Sequence, residues 1–231
     1  MISSSLTKGI LGTGAASTTA VGAAYASGAF SSSEEKRELI SKLIGISNPE
    51  RRIITAKVGS DPYWKESWKL YRESNKNKNV GEDLWGLKDW KKPETDTINN
   101  DVEAPSSLME ECDSRLSSEV SGIESDLYKE VLRYCTRDTL VSDLVSETVG
   151  KTSLVDVDDS ASWNKVWNLY TTHNNGKGKD QDVWSLNDWD KEKGKPDAPR
   201  SFKTACKNKL TTKTGDKTHP DYINFLSWCT K

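Results

Sequence analysis

The sequence predicts an all-α protein: two tandem helical repeats behind an N-terminal hydrophobic helix. Three observations predict it. Aromatic and aliphatic residues recur at helical spacing, a long pattern returns after about 99 residues, and residues 1–33 carry a single charge, Lys8. The 231 residues are 29% charged with net charge −2, a balance that argues against a nucleic-acid partner, which needs a dominant basic face. A mean hydropathy of −0.73 excludes a polytopic membrane protein.

The first element is the uncharged run Gly9–Ser33, whose apolar heart is Ile10–Ala29. A spanning helix needs roughly 20 apolar residues, so the length fits, although small side chains gain little in lipid. Three readings compete: an uncleaved anchor with small residues at Gly12, Ala16, Ala20 and Ala24, a signal peptide cut after Ala24-Tyr25-Ala26, and a Gly/Ala/Ser tail. The anchor is the leading expectation. It makes the membrane a partner through this segment, and Lys8 on its short side places the bulk outside the cell; secretion is the alternative.

The remaining chain reads as two copies, 34–136 and 137–231. Trp64-x3-Trp68-x-Leu70-Tyr71 returns as Trp163-x3-Trp167-x-Leu169-Tyr170, and Trp85, Leu87, Asp89 and Trp90 return as Trp184, Leu186, Asp188 and Trp189. The offset then drops to about 94, and Cys112 and Cys135 meet Cys206 and Cys229. Eight of the nine Trp pair in this way, and Trp228 stands opposite Tyr134. Charges do not follow. The first copy holds 17 basic and 21 acidic residues, the second 15 and 14. A shared apolar and Cys pattern under a divergent surface is the mark of a retained core, with Asn75/Asn174 and Asp89/Asp188 as the main polar exceptions.

Each copy opens with a leading helix (35–45; 138–148). A Trp helix follows (62–74; 161–173), in which Trp64, Trp68 and Tyr71 share one face and Asp61-Pro62 supplies a cap and a first-turn proline. Asp159 or Ser160 caps its counterpart. Polar Asn/Gly/Lys loops lead to a short Trp-bearing turn or helix (82–91; 181–190). Two final helices (106–118 and 125–136; 200–212 and 219–230) carry the Cys pairs, opened by Pro105, Pro199 and His219-Pro220.

Each Cys pair is 23 positions apart. A disulfide inside each helical hairpin is expected for an exported chain, Cys112 with Cys135 and Cys206 with Cys229. Buried thiols, or a zinc site drawing all four sulfurs together, are the alternatives. The i, i+4, i+7 aromatics read as core. Trp85, Trp90, Trp184 and Trp189 lie in less regular sequence, and the alternative to core for them is a platform for a flat or apolar ligand such as haem or lipid.

No reaction chemistry stands out. Gly150-Lys151-Thr152 lacks the upstream glycine of a phosphate loop, Asp156, Asp158 and Asp159 lack the rest of a calcium loop, and His173 and His219 have no partner in the other copy. No catalytic residue, metal ligand or cofactor is assigned, the chain is read as a non-enzyme, and an extracellular hydrolase is the least favoured reading. Basic residues from Arg200 to Lys217 stand opposite acidic counterparts from Glu110 to Glu119 in the other copy; a solvated face is the leading reading, and attraction between the copies is the alternative.

A Gly/Ala/Ser/Thr-rich leader, Trp-x3-Trp-x-Leu-Tyr, Trp-x-Leu-x-x-Trp and a Cys pair ending at Cys229 together resemble the paralogous, uncharacterised surface-type proteins of haemotrophic mycoplasmas. The resemblance covers most of the chain and carries over no catalytic residue. It implies a cell-surface location and a role as an interaction or antigenic module, with the host-cell surface or serum proteins as partners. The internal duplication departs from that family's simplest, single-unit form.

Overall fold

The structure is a computed structural model and describes residues 36–231. The expected anchor or signal segment, 1–33, lies outside the described residues. Glu38–Lys231 form one compact unit. Among the described residues there are nine helices and four strands of two or three residues, so the protein is helix-rich with short strands and not strictly all-α.

The first half opens with β1 (Glu38–Leu39), α1 (Ile40–Ser47) and β2 (Arg51–Ile53). The Trp helix α2 (Pro62–Asn75) starts where expected: Asp61 accepts from the Tyr63 and Trp64 N–H groups at 2.9 and 3.4 Å, and Pro62 occupies the first turn. Helix α3 (Ser106–Leu116), β3 (Glu119–Val120), α4 (Asp126–Tyr134) and β4 (Thr136–Asp138) complete it. The second half holds α5 (Val141–Ser146), α6 (Ser160–His173), the one-turn α7 (Trp189–Glu192), α8 (Arg200–Lys209) and α9 (Pro220–Trp228). Asp159 caps α6 through the Ser162 N–H, and the His219 Nδ1 caps α9 through the Asp221 N–H at 3.1 Å.

The strands are what periodicity misses, because each pairs with a distant segment. β1 runs antiparallel to β3, and β2 antiparallel to β4, with Ile53 opposite Thr136. The second half has single bridges at the corresponding places, Leu140 with Lys213 and Ser153 with Thr230. In each half the chain leaves its last helix at a Cys and immediately pairs: Ile54 N–H donates to the Cys135 carbonyl and Leu154 N–H to that of Cys229.

Two apolar clusters form. One gathers Ile40, Trp64, Trp68, Tyr71, Trp90, Leu108 and Val131 around the first disulfide; the other gathers Val141, Trp163, Trp167, Tyr170, Trp189, Phe202 and Phe225 around the second. Both expected disulfides are formed, Cys112–Cys135 and Cys206–Cys229, with Cα atoms 5.5 and 5.8 Å apart. The second Cys of each pair sits one residue past its helix, which lets the sulfurs meet where a strict hairpin register would not. No cysteine is free, so the four-thiol zinc alternative is excluded. Disulfides of this kind persist in oxidising compartments and suggest an extracellular or secreted protein. No helix among the described residues is long and apolar enough to cross a membrane.

The halves meet at one extended stretch. Directly after β4, Thr139 donates its N–H to Glu50 and its hydroxyl to Pro49, then accepts from the Thr214 N–H, each at 2.8 Å. A Cβ on Gly215 would stand 2.3 Å from the Pro49 carbonyl, so this contact requires glycine. Arg51 and Lys213 both pair with Asp138. The alternative of attraction between the α3 acids and α8 bases is not what joins them. Glu110 pairs with Lys88, Asp113 with Lys57, Lys207 with Asp156 and Lys209 with Asp221, each inside its own half.

Candidate functional site

The loop after each Trp helix is held by one buried polar cluster. Tyr71 donates its hydroxyl to Asp83 at 2.6 Å and accepts the Trp85 N–H at 2.8 Å, while Asp83 also takes the Leu87 N–H. Asn75 donates back to the Tyr71 carbonyl and accepts from the Leu84 N–H, each close to 2.9 Å. In the second half Tyr170 donates to Asp182 and accepts from the Trp184 N–H, Asp182 takes the Leu186 N–H, and Asn174 bridges the Tyr170 carbonyl and the Val183 N–H. All six side chains are buried. Burial first, and then the neighbouring carboxylate, push both phenols well above the ordinary tyrosine value. Each phenol is thus a fixed proton donor and each carboxylate a fixed acceptor, which is an arrangement for holding a loop.

Two backbone positions tighten the same loop. Gly81 and Asp180 have φ of 79° and 59°, and Gly86 and Ser185 have 61° and 49°. The first half meets the left-handed requirement with glycine, and the second half bears it on Asp and Ser.

This cluster places the candidate platform residues. Trp85, Trp90 and Trp189 are buried and Trp184 is half-buried. Trp90 and Trp189 stand edge-on to Tyr71 and Tyr170 at 5.9 and 5.8 Å, and their Nε1 groups donate to the Lys78 and Lys177 carbonyls. Trp85 and Trp184 pack on Tyr134 and Trp228 at 5.5 and 5.2 Å. Trp85 Nε1 donates to Glu130, whereas Trp184 Nε1 is sealed with no partner among the described residues.

Concave surface lies beside these rings. A groove of about 540 Å³ in the first half is lined by Trp68, Trp90, Arg72, Pro93, Val102 and Pro105. A groove of about 410 Å³ in the second half is lined by Asn174, Gly176, Lys177, Trp189 and Lys193. A hollow of about 840 Å³ opens at the junction beside Arg52, Glu147 and Lys217. The junction charges are mutually satisfied. Lys213, then Arg51, holds the Asp138 carboxyl below its usual range. Burial pushes Asp143 up, but Arg137 and the Leu140 N–H more than offset it.

No group of three His, Cys, Asp or Glu among the described residues is placed to hold a metal ion. His173 is exposed and lies 5.0 Å from Trp228; His219 is occupied as a cap. Asp89 is exposed on the first groove, and Asp188 has one sealed oxygen with no partner among the described residues. The buried acids that organise the loops are Asp83 and Asp182, which sequence reasoning passed over. They lie 99 positions apart, the offset that pairs the Trp residues, and that coincidence was the available signal. No family model, curated protein or solved structure matches this chain.

Proposed function

We propose that the chain is a membrane-anchored, surface-exposed interaction or antigenic module, built as two tandem copies of one disulfide-stapled helical unit behind the N-terminal hydrophobic segment. The observation that carries this reading is the pairing of interiors with divergent coats. Tyr71, Asp83, Asn75 and a disulfide have positional partners in Tyr170, Asp182, Asn174 and the second disulfide, while the surface charges do not correspond. Preserved folding elements under changed surfaces suit a protein whose outer face is its working part. The reading assigns no reaction, gives 1–33 the role of anchor, and makes host-cell surface or serum proteins the partners, in line with the resemblance to mycoplasma surface proteins.

Protease treatment of intact cells, followed by a non-reducing mass map of the protected material, tests it. Loss of the helical region with retention of a fragment bearing residues 1–33 is the expected result. A fully protected chain, or one carrying reduced Cys112 and Cys206, contradicts it.

A further inference from the structure

Only one asparagine of the sequence is followed by glycine: Asn175, before Gly176, in the polar loop that leaves α6. The pair has a chemistry of its own. A glycine carries no Cβ beside its nitrogen, so that nitrogen can reach the carbon of the preceding carboxamide, provided the fold leaves both groups free.

The fold leaves both free here. Asn175 is exposed, and among the described residues neither its carboxamide nor the Gly176 N–H has a hydrogen-bond partner. Gly176 has a φ of 77° and open space where a Cβ would stand, so water reaches it. The other asparagines of the two matched loops are held. The Asn75 and Asn174 carboxamides are locked in the buried clusters, and the Asn79 carboxamide is tied to Glu82 at 2.9 Å. Asn77 is exposed, but the N–H after it, that of Lys78, donates to the Asn75 carbonyl at 2.8 Å. The surroundings also suit a product with a negative charge. The groove that Asn175 and Gly176 line has Lys177 and Lys193 as its charged residues. An anion beside cations is favoured.

We infer that Asn175 is a self-modification site, at which the second half converts slowly to aspartyl and isoaspartyl forms while the first half stays as it is. The Gly176 nitrogen, its proton taken by a solvent base, bonds to Asn175 Cγ. The Cγ–Nδ2 bond breaks, and Nδ2 leaves as ammonia with a proton from water. The cyclic imide then takes up one water. Opening at the Cγ–N bond leaves aspartate. Opening at the bond from the Asn175 backbone carbonyl leaves isoaspartate, whose chain runs through the side chain and is one carbon longer. Nothing is oxidised or reduced, and either product adds a negative charge where the matched position of the first half carries Lys76. The isoaspartyl form has a further effect. Lys177 donates its N–H to the Asn174 carbonyl at 3.0 Å, and its carbonyl accepts from the buried Trp189 Nε1–H, also at 3.0 Å. A longer backbone just ahead of Lys177 disturbs that clamp. The inference does not depend on the surface reading.

The test incubates the full, oxidised chain beside the peptide acetyl-Thr-His-Asn-Asn-Gly-Lys-Gly-amide, copied from residues 172–178, at mildly alkaline pH. Peptide mapping at acidic pH, with aspartyl and isoaspartyl isomers separated, reads the products. Both isomers are expected at position 175, forming within about tenfold of the peptide's rate. Asn187, exposed but followed by Asp188, should remain asparagine in the same chain. Asn175→Gln, whose ring closure is slow, should abolish the acidic species seen by isoelectric focusing. Asn175 intact after the peptide has converted, aspartate formed without isoaspartate, equal conversion at Asn187, or an unchanged acidic species in Asn175→Gln overturns the inference. None of these outcomes bears on surface location, which the protease experiment reads separately.

Discussion

Inside the first half, Tyr71 ties Asp83 to the Trp85 backbone; inside the second, Tyr170 ties Asp182 to the Trp184 backbone. Around these centres the surroundings diverge. Trp85 Nε1 reaches Glu130 and its indole lies under the Arg115 guanidinium, while Trp184 Nε1 has no partner among the described residues. Asp182 uses both oxygens, while one oxygen of Asp83 is sealed and unpaired among the described residues. Trp167 is covered by Lys195 and Trp68 is not. The difference teaches which contacts the packing demands and which it tolerates. The tyrosine, the acid and the disulfide sit at the centre of the cluster, where any gap is expensive. The indole N–H groups and charged pairs are where the halves differ, and there the packing tolerates a changed partner.

Substitutions at matched positions can break this comparison, and the largest effect belongs to a large ring that is almost wholly buried. Trp90→Ala and Trp189→Ala should each cost about 4 kcal/mol by emptying a core site, read by urea unfolding. A large inequality between the two would show that the clusters are not energetically alike. Removing either disulfide as a Cys→Ala pair should cost about 3 kcal/mol, since the two loops have the same length. Asp182→Ala should cost about 2–3 kcal/mol, and Asp83→Ala somewhat less because Asp83 already leaves one oxygen idle. The smallest effect sharpens the comparison at the loop backbone. Gly86→Ala should lose about 1 kcal/mol, whereas Ser185→Gly should gain about 0.5 kcal/mol by relieving a left-handed φ. Thermal melting of the two variants reads opposite signs.

Much of this was legible in the residues, and the exceptions have physical causes. The Trp helices, their Asp61 and Asp159 caps and the Cys-bearing helices follow from local spacing, because a helix is stabilised by neighbours within one turn. The short strands were not legible. Ile53 pairs with Thr136 across more than 80 residues, and a three-residue strand has no room to show alternation. The acid at the centre of each cluster was misplaced for a related reason. Asp83 and Asp89 both recur at the same offset, and identity at an offset does not distinguish a buried carboxylate from an exposed one. That distinction arises only when the loop folds back to bring Asp83 under Tyr71, 12 residues earlier.

The central claim is that one buried tyrosine–aspartate contact organises each half, and tyrosine titration tests it most directly. Raised phenol pKa values mean that the folded state keeps protons the unfolded chain gives up near pH 10, so this stability is complete below about pH 10 and is lost as the pH climbs further. Ring-carbon NMR of Tyr71 and Tyr170, followed from pH 8 upward, should show both phenols protonated until the protein unfolds cooperatively. Either phenol ionising near pH 10 in a protein that stays folded would contradict the account.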